Sequence, residues 1–168
     1  PREPANVCDA LINHGLNGAP VGYRTLEYLY LESGTPRFET ELAGTVPNVL
    51  GLRNALDFEK GCYVGQEVVS KIENRGQPSR RLVGLELEFD AIPTGGAAVF
   101  DGDGHVGEVT RADYSPSLDA PIALALVDYG LEAGELTVRV GGDDVGAAVV
   151  DLPFVEGSSR SGRLPQYP

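Results

Sequence analysis

Ala97-Ala-Val-Phe-Asp-Gly-Asp-Gly-His-Val-Gly-Glu-Val-Thr110 holds two short apolar runs separated by an Asp-Gly-Asp-Gly turn. Asp and Gly tolerate the left-handed backbone that a tight turn demands, so Ala97–Phe100 and His105–Thr110 read as the arms of a β-hairpin. The same punctuation recurs to either side. Leu82-Val-Gly-Leu-Glu-Leu-Glu88 partly alternates, placing Leu85, Leu87 and Phe89 on one face. Ile122–Val127, Glu135–Val140 and Val145–Asp151 follow, with Gly141-Gly-Asp-Asp144 as a second hairpin turn. Six short strands with regular turn signals predict a small antiparallel barrel or sandwich.

Upstream the pattern is helical. Asn6 is positioned to cap a short helix through Leu11 and Ile12 that ends at Gly15. A second helix runs from Thr25 to Ser33, with Leu26, Leu29 and Ser33 marking one side and Tyr30 a neighbouring one, and Gly34 and Pro36 stop it. Gly44–Leu52 reads as irregular, broken by Pro47 and Gly51. Gln66–Ile72 places Val68, Val69 and Ile72 at helical spacing. The expected class is therefore α+β, with the helical and strand halves meeting near Pro78–Arg81. Gly157–Pro168, rich in Ser, Gly, Arg and Pro, reads as a mobile tail.

At 168 residues the chain is long enough for one domain, or one and a piece. It contains no Met and opens on Pro1, which suggests the C-terminal piece of a longer protein, or removal of an initiator Met. No apolar run approaches the roughly 18 residues of a membrane helix. Two cysteines, Cys8 and Cys62, cannot make a disulfide scaffold or a four-ligand zinc site. Twenty-five acids against thirteen bases give a net charge of −12. That field disfavours nucleic acid and acidic lipid as partners. Eleven of the bases are Arg. A salt-adapted cytoplasm would favour such an acidic, Lys-poor surface, although a GC-rich genome also replaces Lys by Arg.

The charge is uneven. Residues 1–80 carry ten acids and eight bases, and residues 81–168 carry fifteen and five. Lys60, Lys71, Arg75, Arg80 and Arg81 form a basic island. It can receive an anionic ligand or simply neutralise neighbouring acids.

Cys62 lies between Gly61 and Gly65, beside Lys60 and ahead of the third helix. A helix N-terminus, a nearby ammonium and glycine-exposed amides would each lower a thiol pKa, which makes Cys62 the candidate nucleophile. The alternative is that Cys62 is a small buried hydrophobe, which is common for a free cysteine. Cys8, on an apolar helix face, reads as structural. Tyr23, Tyr28 and Tyr30 read as core rather than as a stacking platform. Glu27, Glu32 and Arg37 can orient a ligand or serve as solvated helix charges. Asp101, Asp103 and Gly104 lack the remaining oxygen ligands of a calcium loop, so no metal site is assigned.

Lys60-Gly-Cys-Tyr-Val-Gly-Gln-Glu67 resembles the K-G-C-Y-x-G-Q-E signature of the YgfZ family, folate-binding relatives of the glycine cleavage T-protein (aminomethyltransferase). Leu31-Glu-Ser-Gly-Thr-Pro-Arg37 resembles that family's L-E-A-G-x-P segment, and Arg75-Gly76 with Arg80-Arg-Leu82 its R-G…(K/R)-R-x-L continuation. Gly107–Thr110, Ser115–Leu118, Ile122–Leu124 and Leu152–Phe154 resemble the C-terminal barrel shared with T-protein. The resemblance implies the last part of a folate-binding T-protein-like core over residues 1–80, a six-stranded β-barrel over 81–155, and a tail over 156–168. It implies tetrahydrofolate as cofactor, support of iron–sulfur cluster assembly or repair, and iron–sulfur machinery or client enzymes as partners. Cys62 would be the functional thiol. Lys60, Gly61, Tyr63, Gly65, Gln66, Glu67 and Arg75 would shape the folate pocket. T-proteins usually carry Arg where this chain has Leu26 and Tyr30, and usually lack the motif Cys. Both departures favour YgfZ over the alternative, a folate-dependent aminomethyltransferase.

Overall fold

A computed structural model describes residues 4–14, 18–57, 60–88, 91–132 and 134–156. Three helices, α1 (Pro4–Asn13), α2 (Tyr23–Glu32) and α3 (Gln66–Arg75), precede six strands: β1 (Arg80–Leu87), β2 (Ala98–Asp101), β3 (Gly104–Ser115), β4 (Ala120–Asp128), β5 (Glu135–Val140) and β6 (Asp143–Val150). The strands close into an antiparallel barrel in the order β1-β4-β3-β2-β5-β6. Closure leaves no free sheet edge. The expected α+β class is thus present, and of the barrel or sandwich that the turn signals left open, the strands form the barrel.

Pleating explains the core. Val83, Leu85 and Leu87 on β1 alternate with residues of the other face and point into the barrel, where they meet Val99, Val109 and Val138. The opposite faces of β1 and β4 supply Leu82, Ile122 and Leu124 to a second cluster with Leu31, Leu50 and Leu52 of the helical half. Strands β1 and β4 are therefore apolar on both faces, which is why Ile122–Val127 reads as a continuous apolar run. Gly107 allows close approach of β3 and β4. A Cβ there would lie 2.2 Å from the Leu126 carbonyl oxygen.

Helix α2 ends in a Schellman turn, with the Thr35 N–H on the Tyr30 carbonyl and the Gly34 N–H on the Leu31 carbonyl, both at 2.9 Å. A single π-helical turn, Phe38–Leu42, follows. In it the Leu42 N–H reaches the Arg37 carbonyl and the Ala43 N–H reaches the Phe38 carbonyl.

Several sequence expectations shift. Asn6 lies inside α1, which opens with Pro4, so it is not the cap. Gly15 lies outside the described residues. Helix α2 starts earlier than Thr25 and buries Leu31 and Glu32, while Leu29 is exposed. The Leu26–Leu29–Ser33 side is therefore not the packing face. Helix α3 carries the Gln66–Ile72 spacing on to Arg75 and ends before Gly76, as the glycine predicts. Asp143 and Asp144 belong to β6, leaving Gly141-Gly142 as the turn. Cys8 is exposed rather than buried on an apolar face. Phe89 and the expected tail after Gly157 lie outside the described residues.

Candidate functional site

The motif segment forms the approach to α3. Val64-Gly65 make a turn, and Gly65 caps the helix with φ +87°. L side chains disfavour that conformation, which gives this glycine a backbone reason. Gly61 faces open space. The Cys62 thiol is exposed, so the buried-hydrophobe reading does not hold. The Lys60 ammonium lies 5.3 Å from the Tyr63 ring centroid, and the Lys60 N–H donates to Asp57 Oδ1 at 3.2 Å. Gln66 and Glu67 begin α3, with Gln66 half-buried and Glu67 exposed. Arg75 ends the helix, and its side chain lies outside the described residues. The helix is tied down by buried Val69, by Asn48 Nδ2 on the Val69 carbonyl at 3.4 Å, and by Arg53 against Glu73 at 2.6 Å.

Arg81 donates through Nη2 to the Leu131 carbonyl at 2.6 Å and so serves the barrel.

A cleft of about 450 Å³ lies elsewhere, between α2 and the turns that follow it. Leu26, Leu42 and Leu52 give it an apolar floor, and Tyr23, Tyr30 and Phe38 give it aromatic walls. Its charged groups are Glu27 and Arg37. Arg37 Nη1 donates to Glu27 Oε2. The Arg37 guanidinium also lies 5.8 Å from the Tyr30 ring centroid and 3.7 Å from Glu39. Hydrogen bonding to Glu27 raises the Arg37 pKa further, so its charge is permanent. Tyr23 is 88% exposed, and Tyr28 and Tyr30 are half-buried beneath Arg24 and Arg37. The tyrosines are therefore a surface rather than a core. Among the described residues, Lys60, Gly61, Cys62, Tyr63, Gly65, Gln66 and Glu67 do not line this cleft.

Behind the cleft the barrel grips the helical half. Glu32, 6% exposed, accepts at Oε1 from Ser115 Oγ (2.6 Å) and the Ser117 N–H (3.0 Å), and at Oε2 from Ser117 Oγ (2.9 Å). Burial alone would raise its pKa, but these three bonds together lower it. Glu32 is thus a buried anchor and not a solvated charge. Arg111 of β3 donates through Nη2 to the Thr35 carbonyl at 2.8 Å, and its Nε faces Glu41 Oε1 at 3.5 Å. Burial lowers the Arg111 pKa, and Glu41 offsets part of that. Glu41 in turn accepts the Arg37 N–H at 2.7 Å. Arg111 and Glu41 were not legible as a site, since 70 residues of sequence separate them.

Among the described residues no group of His, Cys, Asp and Glu is placed to hold a metal ion, and no helix is long and apolar enough to cross a membrane.

Comparison with known proteins places this arrangement. Residues 80–156 match the glycine cleavage T-protein C-terminal barrel domain. The chain is 34% identical over 153 residues to an aminomethyltransferase of Pseudothermotoga lettingae, spanning 89% of this chain and 41% of that protein. It is 38% identical over 143 residues to an aminomethyltransferase of Streptomyces coelicolor, spanning 80% and 38%. Glycine cleavage system aminomethyltransferase T from Bartonella henselae superposes with a TM-score of 0.75 at 26% identity, covering 97% of this chain and 45% of that one. The chain thus spans about two-fifths of the length of the curated relatives it matches. The similarity is T-protein-like over both the barrel and the helical half.

Proposed function

We propose that the chain is part of a tetrahydrofolate-binding protein of the glycine cleavage T-protein type, acting in the cytoplasm in folate-dependent transfer of an aminomethyl or related one-carbon group. The observation that carries this is the aromatic-walled cleft in the helical half of a chain similar to aminomethyltransferases along nearly its whole length. Residues 1–80 then form the end of the folate-binding core, 81–155 the barrel, and 156–168 a tail. The cleft's residues suit a flat, partly polar cofactor: apolar floor, aromatic walls and one charged pair. Tetrahydrofolate, when bound, supplies the ring nitrogens that carry a one-carbon unit. The chain's own residues bind and orient it. Tyr23, Tyr30 and Phe38 exclude water from the ring's faces, and Glu27 and Arg37 fix its polar edge.

A second reading, iron–sulfur cluster assembly or repair in the manner of the YgfZ family, is favoured by one observation. The Cys62 thiol of Lys60–Glu67 is exposed and does not line the cleft. In that reading Cys62 is a reactive or cluster-contacting thiolate, Lys60 and α3 support its charge, Gly61, Tyr63, Gly65, Gln66 and Glu67 shape its surroundings, and Arg75 meets an anionic group.

One experiment separates the two. In cells lacking the gene, glycine cleavage and an iron–sulfur enzyme are assayed, and the gene is then restored as wild type or Cys62→Ala. The leading reading expects loss of glycine cleavage, recovered by both versions. Loss confined to the iron–sulfur enzyme, recovered by wild type alone, would replace it with the second.

A further inference from the structure

We propose that the outer face of the barrel carries a second binding site, a pocket between Arg80 and Glu108 that takes a free α-amino acid with an apolar side chain. None of its lining residues lines the aromatic cleft, so its occupancy does not depend on folate.

Topology builds the pocket. Strand β4 lies between β1 and β3. Leu126 of β4 stands opposite both Leu82 of β1 and Glu108 of β3, and Arg80 shares the face of Leu82, two residues earlier. Arg80, Leu126 and Glu108 therefore rise from one face, with Leu126 between the two charges. Two interstrand spacings set the β1 and β3 backbones about 10 Å apart there. The pocket over Leu126 has a volume of about 240 Å³, and Gly95, Gly96 and Thr110 complete its walls. Gly95 has a packing reason to be bare, since a Cβ there would lie 3.0 Å from the Thr110 carbonyl oxygen.

Charge selects the ligand. Among the described residues no hydrogen bond or ion pair reaches the Arg80 guanidinium or the Glu108 carboxylate, although both line the pocket and Asp128 is the register partner of Arg80. Arg80 is half-buried. A guanidinium taken partly out of water gains from a carboxylate partner, and here the chain supplies none. A simple anion drawn to Arg80 is repelled by Glu108 and Asp128. A simple cation drawn to Glu108 is repelled by Arg80. A zwitterion suits both walls, with its carboxylate on Arg80 and its ammonium on Glu108. An α-amino acid carries those two groups on one carbon and turns its side chain to the floor, where half-buried Leu126 favours an apolar one. At about 30 Å³ per water the pocket equals roughly eight waters, room for a molecule of the size of leucine.

The test is an NMR titration of the protein with L-leucine, with 4-methylpentanoate (its carboxylate alone) and with 3-methylbutylamine (its amine alone), following the Gly95 and Gly96 amide signals. L-leucine should saturate those signals at a concentration about tenfold below either analogue. Arg80→Gln should reduce L-leucine to the affinity of the amine, and Glu108→Gln to that of the carboxylate, each at an unchanged melting temperature. No shift of the Gly95 and Gly96 signals with L-leucine, or equal binding of 4-methylpentanoate or 3-methylbutylamine, overturns the assignment. Unchanged L-leucine affinity in a folded Arg80→Gln or Glu108→Gln variant does the same. The comparison of the three ligands needs only the wild type, so misfolded variants would not rescue the proposal.

Discussion

At the scale of the residue, Glu32 shows how a charge can be kept inside a fold. Its carboxylate sits between α2 and the β3–β4 turn with three donors on two oxygens. Its pKa is lowered from the ordinary 4.5, so the folded state holds the ionised form more tightly than the unfolded chain does. The stability this supplies is fully present above that ordinary value, and it is lost as pH falls through it and on through the lower folded value. Glu32→Gln places an amide N–H₂ against at least one donor and should cost roughly 1–3 kcal/mol near neutrality. Urea melts of both proteins from pH 7 to pH 3 should show the gap narrowing as wild-type Glu32 takes up its proton. A gap constant with pH would mean the anchor works by shape alone. The sequence displayed Glu32 beside Ser33 and Gly34 as one of several helix charges. Nothing local told it apart from Glu27, because its partners lie more than 80 positions away. Cys62 was legible as a distinctive thiol. That it does not line the cleft was not, because spacing along a chain says nothing of which surface a loop joins.

At the scale of the element, the strands were legible and the helix faces were not, for one reason. A strand's turn signals are local: Asp101–Gly104 and Gly141-Gly142 announce their hairpins whatever they pack against. A helix face is defined by its neighbours. Helix α2 turns Leu31 and Glu32 toward the barrel and leaves Leu29 in water, an orientation its own periodicity does not reveal. The π-turn Phe38–Leu42 escapes for a related reason, since its wider bonding follows no 3.6-residue pattern. Strand β3 carries the clearest test of the barrel's tight pairing. Its register against β4 slips between Val109 and Arg111, just past Gly107. A methyl group at Gly107 would overlap the Leu126 carbonyl oxygen, which is backbone and cannot swing aside. Gly107→Ala should therefore force β3 and β4 apart and cost about 1–3 kcal/mol or more. A reduced urea midpoint with an unchanged denaturant slope checks this. A neutral result would mean that the two strands part without resistance.

At the scale of the whole molecule, charge is the feature the sequence shows outright. The chain carries −12, and residues 81–168 hold fifteen of its twenty-five acids. Among the described barrel acids, Asp144 is paired with Arg139, and Asp113 with Arg24. Like charges spread over a small barrel repel one another at low ionic strength and favour the expanded chain. Salt shortens the reach of that repulsion, from a Debye length of about 10 Å at 0.1 M to about 3 Å at 1 M. The melting temperature at pH 7 should therefore rise between 0.1 M and 1 M KCl, the behaviour expected of a salt-adapted protein. Salt also strengthens apolar burial, and the two causes need separating. They part at the isoelectric point. Near pH 4.5 the net charge vanishes, so a gain caused by screening should vanish with it. Melting curves across the same KCl series at pH 7 and pH 4.5 make the comparison. A rise at pH 7 that disappears at pH 4.5 assigns the effect to self-repulsion. An equal rise at both would assign it to the two apolar clusters and remove salt adaptation as the reason for the acidic surface.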